Sequence, residues 1–216
     1  MSHIRRDWTL LLWALGFELA IGLAAVGLAW WLDVPLSARL RGGAREWSLG
    51  VGVGGAMFLV LLLLVRLPFE PLQRLSQLVR QLVESLFARQ PLADLALLSA
   101  AAGVGEELLF RGFLQQWLAG HLPSAAAIAL ASLAFGLVHP ITLSYAVLAT
   151  AFGAVMGSMT AATGSLLPAI VAHGLYDFLA LWYFARWAPS SDRALHEEPD
   201  AAAVGERPEG VVGGES

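Results

Sequence analysis

Residues 92–119 read LADLALLSAAAGVGEELLFRGFLQQWLA, an apolar run of helix length that carries Glu106, Glu107 and Arg111 near its middle. The run is long enough to cross a hydrocarbon core of about 30 Å. Each ionisable group at mid-membrane costs at least ~2.5–3.5 kcal/mol if it stays charged and unpaired. A chain that places two carboxylates and a guanidinium in such a helix must satisfy them against something. Glu107 and Arg111 are four apart, share a face and can pair. Glu106 is turned by about 100° from its neighbour, without a partner on its own helix. It is a candidate general base. On these residues alone, a buried ion network serving packing or assembly explains the cluster equally well.

The rest of the chain is of the same kind. It has 216 residues, 57% hydrophobic and 14% charged, with a mean hydropathy of +0.67. A soluble domain of this size has no use for so much apolar surface, so the excess must face lipid. The pattern predicts an all-α polytopic transmembrane bundle with six spans, at about 9–32, 49–67, 92–119, 122–139, 141–163 and 165–187. Residues 1–32 begin like a signal peptide, with Arg5 and Arg6 before an apolar run. That run is too long for a signal and no clean cleavage site follows it, so it is read as the first span. Residues 71–90 place leucines and valines on one helical face and Arg74, Gln77, Arg80, Gln81 and Glu84 between them. This predicts an amphipathic helix lying in the interface. Residues 1–188 form the transmembrane domain in this reading. Residues 189–216, rich in Ala, Gly, Pro and acidic residues, form a disordered tail.

There is no cysteine, which removes disulfides, thiolate metal sites and a cysteine nucleophile. The net charge is −4, and much of the acidic excess sits in the tail. All 13 basic residues are arginine. With six spans, one side holds Arg5, Arg6, Arg66, Arg74, Arg80, Arg89, Arg186 and Arg193; the other holds Arg39, Arg41 and Arg45. Positive-inside counting puts both termini in the cytoplasm. Trp8, Trp30, Trp31, Trp47, Trp117, Trp182 and Trp187 fall near span ends, as an aromatic belt requires. The pairs Gly50 and Gly54, and Gly153 and Gly157, have the spacing of close helix packing in lipid. No nucleic-acid partner is expected; the lipid bilayer and a membrane peptide or protein are.

Two further motifs carry polar chemistry. Phe135-Gly136-Leu137-Val138-His139 precedes Pro140, which disfavours helical geometry at His139. No polar loop surrounds this break, and irregular backbone at membrane depth is tolerated only when buried in protein or lining a cavity. His173-Gly174-Leu175-Tyr176-Asp177 sets His173 and Asp177 four apart on one face. A carboxylate on one ring nitrogen would fix the tautomer and free the other. Taken alone, the pair could as well be a satisfied polar contact between helices. Glu18 and Asp94 lie outside these clusters and are read as a packing or water-facing residue and an interfacial residue.

The order Glu-Glu-x-x-x-Arg, Phe-x-x-x-His, His-x-x-x-Asp on successive helices resembles the CAAX amino-terminal protease family, also called CPBP, for CAAX proteases and bacteriocin-processing enzymes. The stretch from Phe152-Gly153 through Gly164-Ser165-Leu166-Leu167-Pro168-Ala169 to His173 is similar as well. The likeness covers about 92–181. It implies an intramembrane endopeptidase in which Glu106 activates water. His139 would hold that water or polarise the scissile carbonyl. His173 and Asp177 would form the oxyanion side, with Glu107, Arg111 and Phe135 in support. The family often has asparagine where this chain has Asp177, and an ionised Asp donates no hydrogen bond. Asp177 is therefore expected to orient His173 or to act as a protonated donor.

Glu106, His139 and His173 could also ligate zinc, as three protein ligands and a water do in catalytic sites. There is no His-Glu-x-x-His, and the expectation leans to a metal-free glutamate–histidine pair in a dry cavity. That cavity is expected to open toward the cytoplasm between the third, fourth and sixth spans. The resemblance also covers a non-catalytic reading, a membrane scaffold or bacteriocin-immunity protein. A proton-coupled transporter is a third reading, disfavoured because the chain shows no internal repeat. A compact all-arginine chain reads as prokaryotic, so the expected substrate is another membrane peptide or protein.

Overall fold

The computed structural model describes residues 8–88 and 90–186; Arg89, Trp187 and the tail expected at 189–216 lie outside the described residues. Eight α-helices follow one another: α1 (Trp8–Trp31), α2 (Ala44–Leu64), α3 (Glu70–Phe87), α4 (Leu92–Glu107), α5 (Gln115–Ala119), α6 (Ser124–Leu137), α7 (Leu143–Thr163) and α8 (Leu167–Arg186). No strand occurs among the described residues. A 3₁₀ turn, Leu36–Arg39, precedes α2, and a π-helical segment, Leu108–Leu114, joins α4 to α5.

The bundle is an all-α membrane protein. Among the described residues four helices, α1, α2, α7 and α8, are long and apolar enough to cross a membrane. α1 buries only Leu11, Ala25 and Ala29 and leaves Trp13, Phe17, Leu23 and Trp30 exposed. A face of this kind suits lipid and not water. Two of the six expected spans depart from that pattern. α6 has 14 residues, about 21 Å at 1.5 Å per residue, because the turn before Pro140 stops it. The run from α4 to α5 has the length but carries Asp94, Glu106, Glu107 and Arg111.

α8 is the hub. It packs against α2, α4, α3 and α7, while α1 lies on α4 and α6 on α7. Two close approaches are paid for by missing side chains: a Cβ on Gly54 would stand 2.7 Å from the Ala172 carbonyl, and one on Gly103 would stand 2.9 Å from the Ile170 carbonyl. Backbones thus touch directly, which gives dispersion contacts where lipid leaves little hydrophobic drive. At the far end Gly164 takes φ +68°, closes α7 in the left-handed conformation and lets the chain turn into α8. The Leu166 amide donates to the Arg39 carbonyl at 2.8 Å and the Ser165 hydroxyl to the Arg41 carbonyl at 2.5 Å. These bonds tie the α1–α2 loop to the α7–α8 turn.

α3 separates its faces as the sequence predicts. Leu75 and Val83 are buried. The outer face is laced by i,i+4 ion pairs, Arg74 with Glu70 and Arg80 with Glu84, the latter at 3.0 Å.

Candidate active site

Three elements bring the polar residues together. α4 ends at Glu106 and Glu107, and the backbone then widens into the π-helical segment. Such segments collect at functional sites; here the segment still leaves Arg111 in reach of Glu107. Arg111 Nη1 donates to Glu107 Oε1 at 2.9 Å, with both side chains fully buried. Glu107 Oε1 also meets His173 Nδ1 of α8 at 2.9 Å. A carboxylate paired with arginine accepts, so His173 Nδ1 donates. The expected orienting partner of His173 was Asp177. Glu107 fills that place at Nδ1, and Asp177 Oδ2 instead stands 3.3 Å from Nε2. Helical spacing could not reveal the Glu107 contact, because it joins different helices.

His139 lies in the non-helical turn after α6. Its Nδ1 is 2.7 Å from the Phe135 carbonyl. A carbonyl only accepts, so Nδ1 donates and the neutral ring turns its Nε2 lone pair outward. That Nε2 is 3.9 Å from Glu106 Oε2, and His173 Nε2 is also 3.9 Å from it. These separations are too long for direct hydrogen bonds and suit a bridging water. Glu106 Oε2 is buried without a hydrogen-bond partner among the described residues.

Phe135 holds the cluster from below. Its ring packs on His139 with centroids 4.6 Å apart, on His173 at 5.9 Å and on Phe110 at 5.1 Å. The Arg111 guanidinium lies 4.4 Å from the Phe135 centroid. Among the described residues Arg111 Nε and Nη2 have no hydrogen-bond partner, and the ring face offsets part of that cost. Room for the guanidinium comes from Gly153, where a Cβ would meet Arg111 Nη2 at 2.8 Å. Gly153 thus seats a charge and Gly157 seats the Gln115 side chain, besides the close packing of α7 on α6 expected for them, where a Cβ on Gly153 would meet Ser132 Cα at 3.3 Å.

Glu106, His139, His173 and Asp177 line a cavity of about 300 Å³. The third, fourth and sixth spans all line it, as expected, and further elements join them. α6 contributes Phe135, but most of the surface is apolar side chains of α3 and α7, the end of α2, and α8. The amphipathic α3 turns Leu72, Leu75, Val79 and Val83 onto it.

Two ionisable residues lie outside the predicted clusters. Asp94 is buried in the first turn of α4. Glu18 of α1 crosses α4 where a Cβ on Gly105 would meet the Glu18 carbonyl at 2.6 Å, and it stands within electrostatic reach of Glu106 and His173. A lone carboxylate in an apolar span was the available signal; its neighbours were not legible. Among the described residues no group of three His, Asp or Glu is arranged as a metal-ion site.

Residues 88–179 match the family model Rce1-like, described as type II CAAX prenyl endopeptidase Rce1-like. This stretch of the chain is similar to that family. No curated protein and no solved structure matches it. The Rce1-like stretch runs from just before α4 to the middle of α8, close to the extent of the resemblance read from the motifs. It contains Glu106, Glu107, Arg111, Phe135, His139, His173 and Asp177, and it leaves out α1, α2 and α3. The matched family is one of peptidases, and the long apolar helices make this chain a membrane protein.

Proposed function

We propose that this protein is an intramembrane endopeptidase that hydrolyses peptide bonds of membrane-associated proteins or peptides. The observation that carries the reading is the placement of Glu106 Oε2, buried and unpartnered, 3.9 Å from the Nε2 atoms of both His139 and His173 at a cavity wall. A water between Glu106 and His139 would give one proton to the carboxylate and hold the other toward the imidazole lone pair. Its oxygen would then attack the scissile carbonyl. Glu107 and Arg111 hold His173 in one orientation from behind. The 3.3 Å contact between His173 Nε2 and Asp177 Oδ2 needs one proton between them. That pair forms the far side of the site.

The chemistry is metal-free in this reading, because His173 Nε2 is already engaged by Asp177. We place both termini in the cytoplasm of a prokaryotic cell on the arginine distribution, and the substrate in the same bilayer.

The test is cleavage of tagged membrane substrates by purified protein in detergent. Wild type cleaves, and Glu106→Gln loses activity by about 10²- to 10⁴-fold, the usual worth of a positioned general base, while remaining folded. Full biological function in Glu106→Gln would overturn the reading in favour of a scaffold or immunity protein.

A further inference from the structure

An acyl-transfer site needs a donor for the oxyanion, and the residues so far named supply acceptors in excess. Glu106 and Asp177 are carboxylates. His139 spends its Nδ1 proton on the Phe135 carbonyl, and in the neutral ring its Nε2 can only accept. His173 spends Nδ1 on Glu107, and its Nε2 faces Asp177 at 3.3 Å. Arg111 is fully buried behind Glu107. None of these has a proton to spare for a new negative charge in the cavity.

Tyr145 has one. It sits in the first turn of α7, where its amide donates to the Thr142 hydroxyl at 3.1 Å. Its ring stands 6.0 Å from the His139 ring, centroid to centroid. It lines the same cavity as Glu106, His139, His173 and Asp177, within electrostatic reach of Glu106 and Asp177. Its hydroxyl forms no hydrogen bond among the described residues. The cavity holds a second phenol, Tyr176. That ring packs edge-on against Phe152 at 4.9 Å and joins the Met57–Met156 core, and the carboxylate within its reach is Asp177 alone.

We propose that the Tyr145 hydroxyl is the oxyanion donor of this site, a catalytic residue beyond the glutamate and the two histidines. The inference rests on the endopeptidase reading. Water oxygen bonds to the carbonyl carbon, one water proton passes to Glu106, and the carbonyl π pair moves onto oxygen. The Tyr145 O–H donates a hydrogen bond to that oxyanion and keeps its proton. The oxyanion then collapses, the C–N bond breaks, and the amine leaves with the proton from Glu106. Tyr145 thus stands in for the amide donor that Asp177 cannot be when ionised.

The experiment uses full-length protein in detergent and a panel of quenched-fluorescent apolar peptides. Tyr145→Phe lowers kcat by roughly 10²- to 10³-fold, the loss seen when one oxyanion donor is removed, with KM within about twofold of wild type. A peptide aldehyde, whose hydrate or adduct mimics the tetrahedral centre, loses affinity in parallel while the substrate KM does not. Adding Asp177→Asn to Tyr145→Phe restores kcat by at least about tenfold, because the amide supplies donors. Wild-type kcat in Tyr145→Phe, in a panel where Glu106→Gln is inactive, overturns the inference and leaves the endopeptidase standing. So does a comparable loss in Tyr176→Phe with none in Tyr145→Phe. Absence of cleavage by wild type across the panel overturns both.

Discussion

His173 Nδ1 donates to Glu107 Oε1 at 2.9 Å, joining α8 to α4 across 66 residues of chain. The same oxygen takes Arg111 Nη1 at 2.9 Å. One carboxylate oxygen therefore balances a buried cation and fixes an imidazole. Stability and ring orientation meet at Glu107, and substitutions there separate the two.

Glu107→Leu leaves the fully buried Arg111 without its counter-charge, which costs about 3–5 kcal/mol. The double variant Glu107→Leu/Arg111→Met replaces the pair with apolar volume and recovers most of that loss. It still leaves His173 Nδ1 without an acceptor, so activity stays down by about 10- to 100-fold, the usual cost of losing an outer-shell partner of a functional histidine. Denaturation in detergent, run beside peptide cleavage, checks both. Recovery of activity together with stability would show that Glu107 only neutralises Arg111.

Much of the site was legible because lipid makes polar residues conspicuous. Glu106, Glu107, Arg111, His139, His173 and Asp177 stood out as ionisable groups in apolar runs, and Pro140 marked the turn that carries His139. The i,i+4 pairing of Glu107 with Arg111 followed from helical spacing even though a π-helical segment intervenes. What stayed hidden lies between elements. The Glu107–His173 bond, the seat that Gly153 gives to Arg111, and the approach of Glu18 to the site depend on how helices cross, and no local spacing encodes that. Span length was overread at 122–139, where the apolar run continues past the turn that ends α6.

Gly153→Ala is destabilising by about 1–3 kcal/mol, the cost of overpacking a filled core. The new Cβ would meet Arg111 Nη2 at 2.8 Å and Ser132 Cα at 3.3 Å. Gly52→Ala, where nothing lies within 4 Å, is the contrast: it stabilises by about 0.5–1 kcal/mol through helix propensity. Opposite signs in a thermal melt of the two variants confirm that Gly153 is a seat. Equal effects would assign both glycines to backbone propensity.

Activity survives a chelator. Protein freed of metal by prolonged chelation cleaves within about twofold of untreated protein, since Glu106 and the imidazoles activate water without an ion in the proposed mechanism. Loss of cleavage with chelator and rescue by zinc would reverse the assignment and turn Glu106, His139 and His173 into ligands.

Phe135→Leu separates packing from charge stabilisation. Leucine keeps an apolar side chain beneath the site but removes the ring face 4.4 Å from the Arg111 guanidinium and the surface on which His139 stacks at 4.6 Å. The lost cation–π contact is desolvated, so its absence costs about 2 kcal/mol. The Phe135 carbonyl still accepts from His139 Nδ1, so the tautomer is kept and the ring is freed to tilt. The expected result is a lower unfolding midpoint, with kcat reduced more than KM is raised. In an Arg111→Met background the same Phe135→Leu change should lose most of its effect on stability, because no cation remains for the ring to face. A double-mutant cycle in detergent reads that coupling directly. A coupling energy near zero would mean that Phe135 acts by filling volume alone.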